Sequence, residues 1–217
     1  MDELSLLAVG LGVTAVVAGV QYVVEKRRRE AVAAWATSRS LTFEPARPST
    51  VDEYERFKLF KAGHTRRAFN FVQGRRDGFE LRVVDYQYKT GGGRNARSHK
   101  QTVCILDGES RHDVHFFCRR QSTVFDAIGK LFGGQDVNFD DDPAFSKAFV
   151  LQTNGEEARL RTFMSPRLRA LLVDLAPRNI TLEVNGGTLV LHMGRRVKPE
   201  ELDDLVAVAL RIRRCFA

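Results

Sequence analysis

The chain has 217 residues, with 34 Lys and Arg against 27 Asp and Glu, giving a formal net charge of +7. That length supports one substantial hydrophobic core or two small ones. Cys104, Cys118 and Cys215 are odd in number and fit no metal spacing, which argues against a disulfide scaffold and a cysteine-zinc framework.

Leu4–Val24 runs 21 residues without a charge, and about 20 helical residues cross a bilayer core. The sequence predicts a transmembrane helix there. Only Asp2 and Glu3 precede it, whereas Lys26, Arg27, Arg28 and Arg29 follow it. Excess basic residues mark the cytoplasmic flank, so Met1 is expected outside and the rest inside, as in a single-pass inner-membrane (plasma-membrane) protein. A cleaved signal peptide with Val17-Ala18-Gly19 as its site is the rival reading. It lacks a basic leader and its apolar run is too long. The four basic residues are the membrane-flank candidates and would also attract anionic lipid. Ala8, Gly12, Ala15 and Gly19 share one helical face, the candidate surface for self-association beside the expected bilayer partner. Asp2, Glu3, Glu25 and Glu30 cancel the four basic residues, so the +7 belongs to the chain downstream of Glu30.

Residues 25–38 continue as helix, uninterrupted by Gly or Pro. Leu41–Phe43 reads as a short strand, and Thr50-x-x-Glu53 as a capping box opening a helix to about Phe60. Strands at 68–73 and 79–90 flank a turn at Asp77-Gly78. Along the second, the apolar phase slips at Val83-Val84, which predicts a bulge or burial on both faces. Strands at 100–106 and 112–119 are expected to form a hairpin through Asp107-Gly108-Glu109-Ser110. A helix is expected over Thr123–Phe132, stopped by Gly133-Gly134. Then come a strand at 148–153, a helix capped by Thr153-x-x-Glu156, and a second helix restarted by Ser165-Pro166. Asn185-Gly186-Gly187 turns a hairpin between 180–184 and 188–192. The last helix carries a stripe of Leu202, Leu205, Val206, Ala209, Ile212 and Phe216, with acids at its start and Arg211, Arg213 and Arg214 at its end.

The expected fold class is therefore α+β: an N-terminal transmembrane helix, then a domain of mostly antiparallel sheet and packed helices, including a C-terminal amphipathic helix. The organisation is residues 1–24 as N-terminus and span, 25–40 as a basic juxtamembrane helix, and 41–217 as the cytoplasmic domain, with two halves meeting near 135–147. A duplicated α+β unit and a pleckstrin-homology-like barrel remain alternatives.

Chemistry-bearing stretches are sparse. Tyr88–Lys100 is glycine-rich and basic between two strands. Its Arg94, Arg97 and Lys100 are the candidate anion-binding residues, although the stretch lacks both a P-loop ending and G-x-G-x-x-G. Asp136-x-Asn138-x-Asp140-Asp141-Asp142 resembles a calcium loop but has Asp at the glycine place and Lys147 at the glutamate place, so it reads better as a turn cap. Asp85 reads as a buried acid with no identifiable partner. His64, His99, His112, His115 and His192 form no metal framework. No cofactor is indicated, and no G-x-S-x-G elbow or cysteine–histidine pair marks a nucleophile. The basic residues are not interleaved with aromatics, which argues against nucleic acid.

The basic-flanked apolar segment, Asn70-x-x-x-Gly74-Arg75, Asp85-Tyr86-x-Tyr88, Thr102-Val103 and Asp142-Pro143-x-Phe145-Ser146 resemble features of uncharacterised bacterial single-pass membrane proteins with a cytoplasmic domain of unknown function. The resemblance implies an inner-membrane address and assigns no activity. The functional expectation is a non-enzymatic, membrane-tethered interaction, scaffold or sensor domain. The alternatives are a domain binding an anionic lipid headgroup or nucleotide, and a membrane-anchored enzyme with dispersed catalytic residues.

Overall fold

A computed structural model describes residues 3–108, 114–121, 135–155 and 157–216, without the side chains of 3–17 and 135. The first element is a 35-residue helix, α1 (Glu3–Thr37). Strand β1 (Thr42–Ala46) follows, then two four-residue helices, α2 (Thr50–Glu53) and α3 (Lys58–Lys61). Next come β2 (His64–Arg76), β3 (Phe79–Thr90), β4 (Arg97–Asp107), β5 (His115–Arg120) and β6 (Gln135–Asp136). The remainder is α4 (Pro143–Ala148), β7 (Phe149–Thr153), α5 (Glu157–Phe163), α6 (Pro166–Leu175), β8 (Thr181–Asn185), β9 (Thr188–His192) and α7 (Leu202–Arg213).

The strands form a single nine-stranded sheet in the order β1-β2-β3-β4-β9-β8-β5-β7-β6, with every pairing antiparallel. β1 to β4 make a meander. Its β2–β3 turn is Asp77-Gly78, both with positive φ, as a tight two-residue turn requires. The β8–β9 hairpin then sits between β4 and β5. Strands 100–106 and 112–119 are therefore not a hairpin: β4 pairs with β3 and β9, and β5 with β7 and β8. The β8–β9 pair carries its own strong turn signal and fills the place that sequence adjacency had assigned to β5. The expected helix at 123–132 lies outside the described residues.

Both faces of the sheet are covered, each by a different kind of layer. Alternate residues such as Leu81, Val83, Cys104, Leu106, Cys118, Leu182 and Leu191 pack under Val32, Trp35 and Ala36 of α1 and the apolar stripes of α6 and α7. The opposite set, Phe71, Val84, Tyr86, Val103, Ile105 and Val190, packs against Tyr54, Phe57, Leu59 and Phe60 from the α2–α3 segment. Val83 and Val84 are both buried because both faces are roofed, and β3 runs in unbroken register against β4. The segment from Thr50 does not continue as one helix. Phe57 takes an extended conformation (φ −88°, ψ 141°), which breaks the spiral and lets Tyr54, Phe57 and Phe60 all reach the sheet. Later boundaries follow their caps: Asp142 Oδ1 accepts from Phe145 N (3.0 Å), and Ser165 Oγ from Leu168 N (3.3 Å), each ahead of Pro at the first helical position.

Among the described residues no helix is long and apolar enough to cross a membrane. That finding overturns the N-terminal transmembrane helix of the expected fold class, and with it the single-pass membrane assignment and the inner-membrane localisation with a cytoplasmic domain. Of the predicted span, the side chains of Leu4–Val17, including Ala8, Gly12 and Ala15, lie outside the described residues. The physical content of the correction is in the second half of α1. It does not end at a membrane flank but enters the core, with Val32, Trp35 and Ala36 almost wholly buried. Ahead of that half, Val20, Tyr22, Val23 and Val24 stand 45–70% exposed.

Candidate functional site

The most densely bonded polar centre is Asp85, only 2% exposed in the middle of β3. Its carboxylate takes a two-pronged fork from Arg28 of α1: Nε to Oδ2 and a terminal guanidinium nitrogen to Oδ1, each 2.7 Å. Asn70 Nδ2 donates to Oδ2 (2.9 Å) and Thr102 Oγ1 to Oδ1 (2.9 Å). Asn70 reaches it because its φ of +49° accompanies a register shift in β2 between Phe69 and Val72. Arg28 also donates to the carbonyl of Val197 (2.7 Å), and Thr102 Oγ1 accepts from Val197 N (3.0 Å). One helix, three strands and the loop after β9 therefore meet on a single carboxylate.

A second carboxylate extends the network. Glu25, one turn before Arg28, holds both terminal nitrogens of Arg196 at 2.7 Å and Lys100 Nζ at 3.1 Å, and Arg196 also reaches Asp85 at 3.3 Å. Bonding to Arg196, opposed by partial burial and helped by Lys100, brings the Glu25 carboxyl down to about 2. For Asp85, burial pushes the carboxyl up, but Arg28, Asn70 and Arg196 outweigh it and hold the group below its ordinary value. Both acids are thus ionised and saturated at neutral pH. The arrangement clamps α1 to the sheet and leaves Asp85 no free lone pair for proton transfer.

The opposite face holds a smaller polar cluster. Buried Glu183 of β8 accepts the backbone N–H of Lys58 (2.7 Å) and lies 3.4 Å from His115 Nε2. Lys58 Nζ donates to Gln152 Oε1 (3.2 Å), and Gln152 Nε2 donates to Asp136 Oδ1 (2.9 Å). Its ammonium also sits 4.7 Å from the Phe117 ring centre. Burial lowers the Lys58 pKa, with Glu183 and Asp136 opposing. The isolated residues of this cluster gave no sequence signal, because five different elements bring them together.

The sequence-predicted residues divide. Lys100 is engaged by Glu25, whereas Arg94, in a turn between β3 and β4, and Arg97, the first residue of β4, are exposed and form no ion pair among the described residues. Within the basic flank, Arg28 is drawn into the Asp85 clamp, Lys26 lies 4.0 Å from Glu30, and Arg27 and Arg29 are exposed. Among the described residues no group of three or more His, Cys, Asp or Glu is placed to hold a metal ion. Three acids of the calcium-like run have structural partners: Asp141 and Asp142 hold buried Arg169 at 2.8 and 2.9 Å, and Asp136 accepts from Gln152. Cys104 and Cys118 are fully buried, and burial raises both thiols far above the reactive range.

No protein-family model and no curated protein sequence matches the chain. Its fold is similar to the crystal structure of the mycobacterial trehalose monomycolate transport factor A, TtfA, with a TM-score of 0.59 at 15% identity. The correspondence covers 88% of this chain and 93% of the other. At that identity the likeness speaks for the fold alone.

Removing one member of a buried ion pair strands the other without solvent, at a cost of about 3–5 kcal/mol. Arg28→Ala is expected to lose that much in urea unfolding, and Arg28→Ala/Asp85→Asn distinctly less; simple additivity of the two changes would exclude the clamp. Acid should loosen it as well. Glu25 sits near 2 against an ordinary 4.5, so its contribution is complete above about pH 4.5 and is lost as pH falls towards 2. The urea midpoint should hold from neutrality to about pH 5 and then drop, and Glu25→Gln should flatten the drop. An identical acid slope in that variant would place the effect elsewhere.

Proposed function

We propose that this chain is a non-enzymatic interaction domain serving lipid transport as an accessory factor. The observation that carries the reading is the extent of the fold correspondence with TtfA, which runs through nearly the whole of both chains. The solved protein is by name a trehalose monomycolate transport factor. The polar centres support the non-enzymatic part. The best-formed one spends its charges on holding α1 in place, and the buried thiols are poor nucleophiles.

A second reading, contact with an anionic headgroup or nucleotide, is favoured by one geometric fact. Arg28 bonds Asp85 beside Thr102, and Glu25 bonds Lys100, two residues nearer the β3–β4 turn. α1 therefore runs, towards its N-terminus, to the end of the sheet where Arg94 and Arg97 are exposed. The exposed apolar residues Val20, Tyr22, Val23 and Val24 lie on that same course. Basic side chains beside apolar ones suit a surface of phosphate headgroups over acyl chains.

Deleting the gene in its host and resolving acetate-labelled envelope lipids by thin-layer chromatography should show a lipid displaced from its normal fraction, restored by the intact gene. An unchanged lipid distribution would remove the transport reading. The headgroup reading predicts that the purified chain sediments with phosphatidylglycerol vesicles more than with phosphatidylcholine vesicles, and that this excess shrinks in salt. Arg94→Ala/Arg97→Ala should reduce the excess several-fold; full retention in the double variant would rule the two arginines out.

A further inference from the structure

We propose that the open end of β2 is a docking edge for a short extended peptide of a protein partner, whose side chains alternate between basic and acidic. This inference stands independently of the lipid reading.

β1 covers β2 only in part. Their pairing ends at Ala46 opposite Phe69, so His64–Ala68 have no strand on that side, while β3 continues to pair with β2 on the other. The chain leaves β1 through Pro48 into α2, and a cleft of about 690 Å³ opens where β1 would have continued. Ala46, Val51, Asp52 and Glu55 line one side, and Arg66, Arg67, Ala68 and Phe69 the other.

The directions of these side chains locate the cleft. Arg66 donates to the Phe60 carbonyl (2.8 Å) and Ala68 packs in the aromatic cluster of α2–α3, so both point to that face. Phe69 points to the opposite face, under the Arg196 guanidinium at 5.5 Å. A cleft that meets side chains on both faces of one strand passes its edge, and here it also reaches Gln87, which pairs with Arg67 from β3. An edge of this kind offers main-chain donors and acceptors to a further strand, and pockets for alternate side chains give the selectivity.

The charges specify the occupant. Two acids and two arginines line the same cleft, yet none of Asp52, Glu55, Arg66 and Arg67 makes an ion pair among the described residues. Charges not engaged with one another are available to a chain lying along the cleft. A residue directed over Val51 and Ala68 meets Asp52 and Glu55 and is best basic. Its neighbour, directed to the Arg67 and Phe69 face, is best acidic. Thr65 and Asn70, with φ of +53° and +49°, interrupt the strand on either side, so the regular stretch is Arg66–Phe69 and the occupant is short.

Random ten-residue peptides displayed on phage and selected against the purified full chain test the proposal. The expected winners lack proline, alternate Lys or Arg with Asp or Glu, and as synthetic peptides slow amide exchange at Arg66–Phe69. N-methylation of alternate peptide amides should abolish binding. Arg67→Glu and Asp52→Lys/Glu55→Lys, all at exposed positions, should keep the thermal midpoint and lose tenfold or more in affinity. Absence of enrichment, winners that protect amides elsewhere, or variants that bind equally well would each overturn it.

Discussion

A carboxylate in the middle of a doubly covered sheet has to be answered by a cation, and the rest of the architecture follows from where that cation comes from. Asp85 is answered by Arg28, 57 positions earlier on a helix. Carrying both charges out of water costs several kcal/mol apiece, and their attraction roughly returns it, so the pair is poor value as a source of stability. What it fixes is geometry. A helix packed on a sheet through Val32, Trp35 and Ala36 can slide or roll at small cost, because apolar contacts are not directional. A two-pronged salt bridge with a third bond to the Val197 carbonyl allows one rotation and one height. The bulge that turns Asn70 inward, the Thr102 hydroxyl and the loop after β9 are then all set by one charge.

The two faces of the sheet use unlike materials. One is roofed by helices whose apolar stripes include Trp35, Phe163 and Phe216, the other by two short turns of helix carrying aromatic rings. Phe60 lies 4.7 Å from Tyr86 and 5.6 Å from Tyr54 between ring centres. Rings cover a large area per residue, so a twelve-residue segment roofs four strands that would otherwise need a full helix. The β5 and β8 side of that face is instead polar, with Lys58 and Glu183 at the seam between the aromatic roof and the rest.

Much of the local structure was legible because its causes are local. The Asp77-Gly78 turn, the Asp142 and Ser165 caps and the β8–β9 hairpin rest on residues within a few positions of one another. What escaped depended on distance. Asp85 reads as a buried acid, but its partner lies in a basic run that a membrane flank already explains. Lys100 reads as an anion-binding residue, while Glu25, 75 positions away, takes its ammonium. The β4–β5 hairpin followed from the usual adjacency of consecutive strands, and nothing between Asp107 and His115 signals that a later hairpin will intervene. The break at Phe57 is dictated by the sheet beneath it, which overrides helix propensity.

The late arrival of the β8–β9 hairpin also sets an order of events for the growing chain. When a ribosome has released everything through β7, β4 and β5 each still lack the neighbour that completes them. Their open edges carry Val103–Leu106 and Phe116–Cys118, apolar segments suited to pairing with another molecule. Only when residues 181–192 emerge can the hairpin drop between them and unite the two parts of the sheet. Synthesis of this protein thus includes an interval, ended when residues 181–192 emerge, in which the facing edges of β4 and β5 stand open together.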